Sequence, residues 1–201
     1  MKKTMLLLAC VAMIAIVAGA MPAQAQAAKG LKAGLTMSKF TGSDADAIGV
    51  NSAYHMGFAF GAYTSYKISP SLAFQPEAYY AMKGAKYEGG GDTLEFKFSY
   101  LQIPLLLMMQ PGGGKGFFYA GPDVGIKLGA KVKAESGGVT LETDVDNVKS
   151  LDLGLTLGAG MNFSKYSLEA RYTMGLSSFD DSVNPDDLKN SGFTILLGMG
   201  L

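Results

Sequence analysis

The sequence predicts an all-β fold, an eight-stranded antiparallel transmembrane up-and-down β-barrel, and three observations support this prediction. Eight segments alternate apolar residues with small or polar ones at a period of two, the side-chain period of a β-strand. The clearest segment, residues 151–163, has only Leu, Ala, Met and Phe at odd positions and only Asp, Gly, Thr and Asn at even positions. It exceeds the roughly 9 to 11 residues that a tilted strand needs to cross a bilayer. The connections alternate long and short, as in outer-membrane barrels with long extracellular loops and short periplasmic turns.

The first three strands each present one apolar row opposite small, polar or charged residues. The rows are Leu31, Ala33, Leu35 and Met37 in residues 30–40; Met56, Phe58, Phe60 and Ala62 in residues 54–66; and Leu72, Phe74, Pro76, Ala78, Tyr80 and Met82 in residues 71–83. A polar segment separates the first two strands, and the short turn at residues 67–70 separates the second from the third. This order gives one long and one short connection.

The fourth strand, residues 93–109, changes the parity of its apolar positions part-way. They are even-numbered up to Phe98 and odd-numbered from Leu101 onward. Because a shift of one residue inverts the faces of a strand, continuous pairing requires a bulge near Ser99 and Tyr100. We therefore expect Phe98 to face outward, on the near side of that bulge.

The last four strands repeat the alternation. Their apolar rows are Phe118, Ala120, Pro122, Val124, Ile126, Leu128 and Val132 in residues 117–133; the odd positions of residues 151–163; Leu168, Ala170, Tyr172, Met174 and Leu176; and Phe193, Ile195, Leu197, Met199 and Leu201 at the end of the sequence. Glycine-rich residues 111–116 and the pair Ser164 and Lys165 form short turns. Residues 134–149 and 178–190 are polar, acidic loops.

The polar face decides whether the barrel lies in water or in lipid, because the alternation alone fits both. A soluble barrel would cover its outside with Lys, Glu and Asp, whereas this face is mostly Gly, Ala, Thr and Ser, which suits the crowded interior of eight strands. Aromatic residues near the strand ends predict girdles at two lipid interfaces. They are Tyr66, Phe74, Phe118, Phe163 and Tyr166 at the short-turn end, and Phe40, Tyr54, Tyr80, Phe96 and Phe193 at the long-loop end.

Charged residues of both signs fall on the predicted inner face. They are Lys32, Glu77, Glu95, Lys97, Asp123, Lys127, Lys131, Asp152, Glu169 and Arg171. Mutual pairing costs less free energy than isolated burial, so these residues predict a salt-bridge network that fills the lumen. The alternative is a narrow polar path for ions, with which the same charges are compatible.

The N-terminal segment predicts export. Lys2 and Lys3 precede an apolar run and a small-x-small triplet ending at Ala25, which is the pattern of a secretory signal peptide. We expect residues 1–25 to be cleaved and residues 26–201 to form the barrel domain, with Ala27 as the other cleavage candidate. Lipidation at Cys10 is the alternative, but the apolar run would then be cut short.

The composition excludes several classes of function. Of 201 residues, 48% are hydrophobic, 17% are charged and 27 are glycine, and no later stretch is apolar enough for a transmembrane helix. Without Lys2 and Lys3, the 17 basic side chains fall to 15 against 17 acidic ones, which argues against nucleic acid as a partner. The sequence has a single histidine, His55, which argues against histidine-based catalysis and against a histidine-based metal site. We predict no cofactor, no metal site and no catalytic residue, and attribute the acidic loops to solvated surface charge.

Several motifs resemble the PorT-like outer membrane beta-barrel family of Bacteroidota. They are YLQIPLLL at residues 100–107, QPEAYYAMKGAKY at residues 75–87, YAGPDVGIKLGAK at residues 119–131, and DLGLTLGAGMNF followed by LEARYTMGLSSF. The resemblance covers essentially the whole mature chain. It implies an eight-stranded barrel in the outer membrane, usually called porin-like, and one class of relatives acts in protein secretion through the type IX system. Many outer-membrane barrels end in Phe or Trp, whereas this sequence ends in Leu201.

Three functions follow as hypotheses. The first is a structural or envelope-interaction barrel with a filled lumen, the second is a narrow porin-like channel for small solutes or ions, and the third is a PorT-like component of protein secretion. An enzyme is not expected. The partners expected are membrane lipids and lipopolysaccharide, the barrel assembly machinery, and an envelope or extracellular protein.

Overall fold

The structure is a computed structural model that describes residues 27–42, 52–89, 92–113, 115–144, 149–177 and 189–201. The predicted signal peptide and most of the acidic loop residues lie outside these ranges. The strands are β1 Ala27–Thr41, β2 Ser52–Ser69, β3 Leu72–Gly89, β4 Asp92–Met109, β5 Gly116–Ser136, β6 Val139–Asp144, β7 Leu151–Phe163, β8 Tyr166–Gly175 and β9 Lys189–Gly200. A single 3-10 turn, Pro111–Gly113, interrupts the described strands, and no helix among the described residues has the length and apolar character to cross a membrane.

Eight of these strands form a closed antiparallel ring. The order is β1, β2, β3, β4, β5, β7, β8 and β9, and β9 pairs back with β1. The predicted eight-stranded barrel is therefore confirmed. The ninth strand, β6, lies in a segment that the sequence analysis assigned to a loop. It pairs with Lys131 to Ser136 of β5, whereas β7 pairs with Gly116 to Ile126, so β6 extends the wall of the ring beyond β7.

The apolar rows face outward, as predicted. In β7, Leu153, Leu155 and Leu157 are 42%, 38% and 48% exposed, whereas Thr156 is 0% exposed and Gly154 is buried. The same alternation holds in β9, where Ile195 and Leu197 are exposed and Leu196 is buried. Water would not stabilise continuous rows of exposed leucine around a closed ring, but hydrocarbon does.

Glycines on the inner face of β7 make room for large rings on β5. A Cβ added at Gly158 would lie 2.4 Å from the Tyr119 ring, and one added at Gly160 would lie 2.4 Å from the Phe117 ring. Tyr119 and Phe117 are both buried and stack on each other, with their ring centroids 6.0 Å apart. The small residues that the sequence placed inside therefore compensate for bulky side chains on the adjacent strand.

The irregularity predicted near Ser99 and Tyr100 is present, but the extra residue belongs to β5, so the inward and outward positions exchange in β5 and not in β4. The β4–β5 pairing shifts between Ser99 and Tyr100, and the extra residue is Leu128 of β5. Consequently β4 keeps one inner parity, and Phe98 and Tyr100 are 1% and 0% exposed. The expectation that Phe98 faces outward was wrong, because the parity change occurs in β5. The same change turns Lys131 out of the lumen.

An aromatic cluster fills the long-loop end of the barrel. Phe40, Tyr87, Phe98 and Tyr100 are buried there together with Ala85 and Ala130, and Phe96 packs against them. The assignment of Phe40 and Phe96 to the outer girdle was therefore wrong. Phe40 is even-numbered, as are Lys32 and Thr36 on the inner face of β1, so its parity already indicated the interior.

A second bulge, which the sequence analysis did not predict, lies in β2 between Tyr54 and Ala59. There β2 no longer matches the register of β3, and side chains from β1 bond to the β3 backbone. Thr36 Oγ1 donates to Met82 O at 2.6 Å. Ser38 Oγ accepts from Gly84 N at 2.7 Å and donates to Gly84 O at 3.0 Å. These bonds satisfy backbone groups that a bulge leaves without ladder partners.

Candidate functional site

The middle of the lumen contains a buried cluster of four charged side chains, Lys32, Glu77, Glu169 and Arg171, named here the central ion-pair cluster. Lys32 Nζ lies 2.5 Å from Glu77 Oε1 and 2.8 Å from the Glu169 carboxylate. Arg171 binds Glu77 through Nη1 at 2.7 Å and Glu169 through Nη2 at 3.0 Å. Each side chain is at most 5% exposed. The cluster thus joins β1, β3 and β8 across the barrel.

Neutral side chains complete the hydrogen bonding of the central ion-pair cluster. Tyr119 OH accepts from Arg171 Nε at 3.1 Å and donates to Glu169 Oε2 at 3.1 Å. Gln75 Nε2 donates to Glu77 Oε1 at 2.8 Å, and Ser167 Oγ donates to Glu169 Oε1 at 3.1 Å. Buried charges are tolerated only when they are paired and their remaining hydrogen-bonding capacity is used.

Two tyrosine rings enclose the Arg171 guanidinium. Its Cζ lies 5.6 Å from the Tyr79 ring centroid and 5.2 Å from that of Tyr119. Guanidinium groups bind carboxylates in a planar fork and also stack on aromatic rings, so one arginine makes both kinds of contact here. Arg171 is among the largest fully buried side chains of the described residues, and its guanidinium occupies space that a conducting path would need.

A second polar cluster, Lys83, Asp123, Asp152 and Thr156, is named here the upper carboxylate cluster. Lys83 Nζ lies 3.3 Å from Asp152 Oδ2, and Thr156 Oγ1 donates to Asp123 Oδ2 at 3.2 Å. Asp123 is 2% exposed and Asp152 is 4% exposed. Lys83 Nζ also lies 5.6 Å from the ring centroid of Tyr100, which belongs to the aromatic cluster.

The ten charges predicted for the lumen fall into three groups in the structure. Six are buried in the two clusters: Lys32, Glu77, Asp123, Asp152, Glu169 and Arg171. Lys127 is half-buried on the inner face of β5, opposite Tyr100. Glu95 and Lys97 alternate with the inward Phe96 and Phe98, which places them on the outer face of β4, and Lys131 is exposed beyond the β5 bulge.

A third, smaller ion group lies in the wall at the long-loop end. His55 Nδ1 lies 3.0 Å from Glu95 Oε1, and Lys97 Nζ lies 3.1 Å from Glu95 Oε2. The imidazole packs over the backbone of Gly84, because a Cβ added at Gly84 would lie 3.3 Å from His55 Cδ2. The single histidine is therefore a packed and bonded wall residue.

Three side chains outside the predicted set of charges contribute to the network. Lys83, Tyr79 and Tyr119 lie opposite in parity to the apolar rows of residues 71–83 and 117–133, so the alternation places them inward. Their roles depend on how the ring closes, because β3, β5 and β8 approach one another only through the interior. The alternation of the strands places these side chains inward, but the sequence does not give the strand registers that decide their partners.

A comparison with known protein families identifies the class of protein. Residues 23–181 match the family described as Outer membrane protein beta-barrel domain, which spans more than half of the chain. The chain belongs to this outer membrane β-barrel family. It is located in the outer membrane, where the exposed apolar rows contact lipid.

Solved structures that resemble this outer membrane barrel have low sequence identity to it. Neisserial surface protein A (NspA) is 14% identical, with 85% of this chain and 96% of that chain covered and a TM-score of 0.48. The attachment invasion locus protein Ail of Yersinia pestis, in complex with the heparin analogue sucrose octasulfate, is 14% identical, with 87% and 99% covered and a TM-score of 0.46. The outer membrane enzyme PagL is 12% identical, with 86% and 98% covered and a TM-score of 0.40. Comparison with curated proteins gives no match.

The β5–β6 hairpin of the outer membrane barrel projects beyond the ring. Val139 and Leu141, on β6, are 62% and 67% exposed. Lys131 Nζ donates to Glu142 Oε1 at 2.7 Å across the two strands. This hydrogen bond to Lys131 holds the pKa of the Glu142 carboxyl below its ordinary value. Among the strands of the described residues, β6 pairs with β5 alone, so its second edge carries no ladder there.

A metal site would need several His, Cys, Asp or Glu side chains close together in the described part of the chain. Within those residues, no three or more His, Cys, Asp and Glu side chains gather in a geometry that could hold a metal ion. The acidic loops of residues 134–149 and 178–190 contain aspartates, among them Asp146 and Asp180, that lie outside the described residues.

Proposed function

We propose that this outer membrane protein is a closed barrel with a structural or envelope-interaction role, not an open pore. The observation that carries the proposal is the central ion-pair cluster, whose four charged side chains cross the lumen and are nearly inaccessible to solvent. Interiors of eight-stranded barrels have room only for side chains, and here those side chains are bonded to one another. An ion would have to break these pairs to pass.

Planar-bilayer recording tests the closed lumen. The folded full-length protein is expected to give no reproducible single-channel events at moderate voltage. Regular conductance steps from heat-modifiable, monodisperse protein would contradict the proposal. Lys133→Gln, on the β5–β6 hairpin away from the lumen, is the matched control and is expected to record identically to the wild type.

The interaction role is assigned to the β5–β6 hairpin. Strand β6 offers exposed Val139 and Leu141 beside Lys131, Glu142 and an edge that can pair with an extended segment. Strand addition at such an edge uses main-chain hydrogen bonds for affinity and side-chain pockets for specificity. The expected partner is an envelope or extracellular protein, in addition to membrane lipids and lipopolysaccharide and to the assembly machinery that inserts the barrel.

In-cell photocrosslinking tests the hairpin. A crosslinking amino acid at Leu141 is expected to capture a defined protein partner, and one at the lipid-facing Leu155 serves as the matched control. If both positions capture only lipid or the same background proteins, the hairpin has no partner and the role is structural alone.

Two alternative functions have their own support. A narrow channel is suggested only by the abundance of small residues in the inward sequence positions, and the bilayer recording above decides it. A role in protein secretion rests on the resemblance of residues 100–107 and 119–131 to PorT-like barrels of Bacteroidota. Normal export of secreted cargo from a deletion strain would exclude that role. Enzymatic activity has no assigned residue in this proposal.

A further inference from the structure

The upper carboxylate cluster is short of positive charge. The central ion-pair cluster is balanced, because Lys32 and Arg171 face Glu77 and Glu169. In the upper carboxylate cluster, Asp123 and Asp152 share one buried cation, Lys83, which contacts Asp152. The two clusters together therefore hold four buried carboxylates against three buried cations.

The same carboxylates have oxygens without a hydrogen-bond partner. Among the described residues, Asp123 Oδ1 and Asp152 Oδ1 are buried and accept no hydrogen bond, and the nearby hydroxyl of Tyr100 is also buried and has no hydrogen-bond partner. Lys127 lies half-buried further toward the long loops and does not donate to either Oδ1 atom. An unsatisfied buried carboxylate oxygen costs more free energy than a neutral group, so a ligand that supplies the missing charge would be stabilised here.

The register of β5 and β7 brings the two carboxylates to one place. Asp123 pairs with Gly154, and Gly125 pairs with Asp152, so the two aspartates are diagonal neighbours on the inner face. Diagonal positions are about 7–8 Å apart at Cα, which two carboxylates can bridge through one ion. Gly154 and Gly125, which pair with Asp123 and Asp152, carry no side chains that would separate the two carboxylates.

The surrounding groups are oxygen donors. Thr156 Oγ1 lies 3.2 Å from Asp123 Oδ2 and 2.7 Å from Thr173 Oγ1. Carboxylate and hydroxyl oxygens are ligands that hard cations prefer.

We propose that Asp123 and Asp152 bind one small monovalent cation, such as Na⁺, in the lumen beside the central ion-pair cluster. One positive charge balances the buried charges, whereas a divalent ion would leave an excess of one positive charge. The site is independent of the hairpin partner proposed above. It also differs from a conduction path, because the ion is held by buried carboxylates and flanked by the central ion-pair cluster and by the aromatic cluster.

Unfolding in different salts tests the site. The folded full-length protein is heated in detergent with LiCl, NaCl, KCl or choline chloride at equal ionic strength, and the midpoint is read from heat-modifiable gel migration. At a cation concentration a hundred times the dissociation constant, mass action predicts a midpoint roughly 5 to 10 °C above that in choline chloride. Asp123→Asn removes one negative charge, so it is expected to abolish this difference and to unfold at a higher temperature than the wild type in choline chloride.

Two further variants define the outcome. Glu135→Gln, an exposed hairpin substitution, is expected to keep the full difference between sodium and choline. Asp152→Asn is expected to lose it, and if this variant does not fold, Asp123→Asn alone decides. Equal midpoints in all four salts would mean that a proton or water occupies the site, and would overturn the proposal. A sodium effect that persists in Asp123→Asn would do the same. In crystals grown with thallium(I), the anomalous peak is expected beside Asp123 Oδ1, and its absence there would contradict the assignment.

Discussion

Arg171 makes several of the hydrogen bonds and ion pairs that hold the interior of the barrel together. It is fully buried and bonds to two carboxylates and to the Tyr119 hydroxyl. The sequence indicated its inward position, because it is odd-numbered in a strand whose apolar residues are even. What the sequence could not indicate was its partners, since Glu77 lies 94 positions away along the chain.

Replacing Arg171 by Met should destabilise the barrel strongly. The substitution leaves Glu77 and Glu169 with Lys32 as their one remaining cation in the cluster, and breaking a buried pair on one side typically costs about 3–5 kcal/mol. Urea unfolding of the folded protein, followed by gel migration, measures the loss. Lys133→Met disrupts a partly exposed ion pair and should cost less than about 1 kcal/mol. Equal stability of the two variants would contradict the buried pairing of Arg171 in the central ion-pair cluster.

The glycine face of β7 makes a separate prediction. Gly158→Ala places a Cβ against the buried Tyr119 ring, and overpacking of this kind should cost about 1–3 kcal/mol in the free energy of unfolding. Gly129→Ala is the matched control, because an added Cβ there has nothing within 4 Å. Equilibrium unfolding of both variants checks the difference. If Gly158→Ala unfolds as the wild type does, the ring does not occupy the position described.

At the scale of the elements, alternation at a period of two predicted the strands but not their bulges in full. The parity change near Ser99 was visible in the sequence, yet the sequence does not say which strand of a pair carries the extra residue. The structure assigns it to Leu128 of β5, so Phe98 faces inward. The β2 bulge was not visible in the sequence. Its missing ladder bonds are replaced by Thr36 and Ser38 of β1, and a sequence does not show contacts between strands that are distant along the chain.

The orientation of β4 can be tested by truncation. Phe98→Ala should remove a buried ring from the aromatic cluster and cost about 3–5 kcal/mol. Phe118→Ala, at a side chain 60% exposed on the outer face, should cost much less in detergent. Chemical denaturation of the two variants under the same conditions measures the contrast. A loss at Phe98→Ala no larger than that at Phe118→Ala would mean that Phe98 faces outward, as its sequence pattern suggested.

The β5–β6 hairpin has its own pH dependence. Because the folded-state pKa of Glu142 is lowered, the Lys131–Glu142 contact stabilises the hairpin above the ordinary carboxyl pKa of 4.5, and this stabilisation is lost as pH falls through the folded-state value. Lys131→Met should therefore raise the pKa of Glu142, read from the NMR titration of its side-chain carboxyl. Glu135, which lies on the same hairpin, provides the comparison carboxyl. An unchanged Glu142 titration in Lys131→Met would show that the contact does not form.

At the scale of the whole molecule, the ring, its strand order and its lipid-facing rows could be predicted from the sequence because each depends on local alternation and on loop lengths. The lumen could be predicted only in part. Parity assigned the inward charges, but the height of each residue in the barrel, and hence its partner, depends on strand registers that one sequence does not specify. Strand β6 was assigned to a loop for a different reason: it is short and exposed on both faces, so its sequence shows no long apolar row.

The central claim is that the odd-numbered row of β7 faces lipid and the even-numbered row faces the interior. The most direct test uses two single-cysteine variants, Leu155→Cys and Thr156→Cys. The native Cys10 lies in the predicted signal peptide, so it should not be labelled in the mature protein. Spin labels at the two positions are compared in liposomes for collision with lipid-soluble oxygen and with a water-soluble nickel chelate. The account predicts that position 155 collides with oxygen and that position 156 collides with neither reagent. Collision of position 155 with the nickel chelate, together with shielding of position 155 from oxygen, would contradict it.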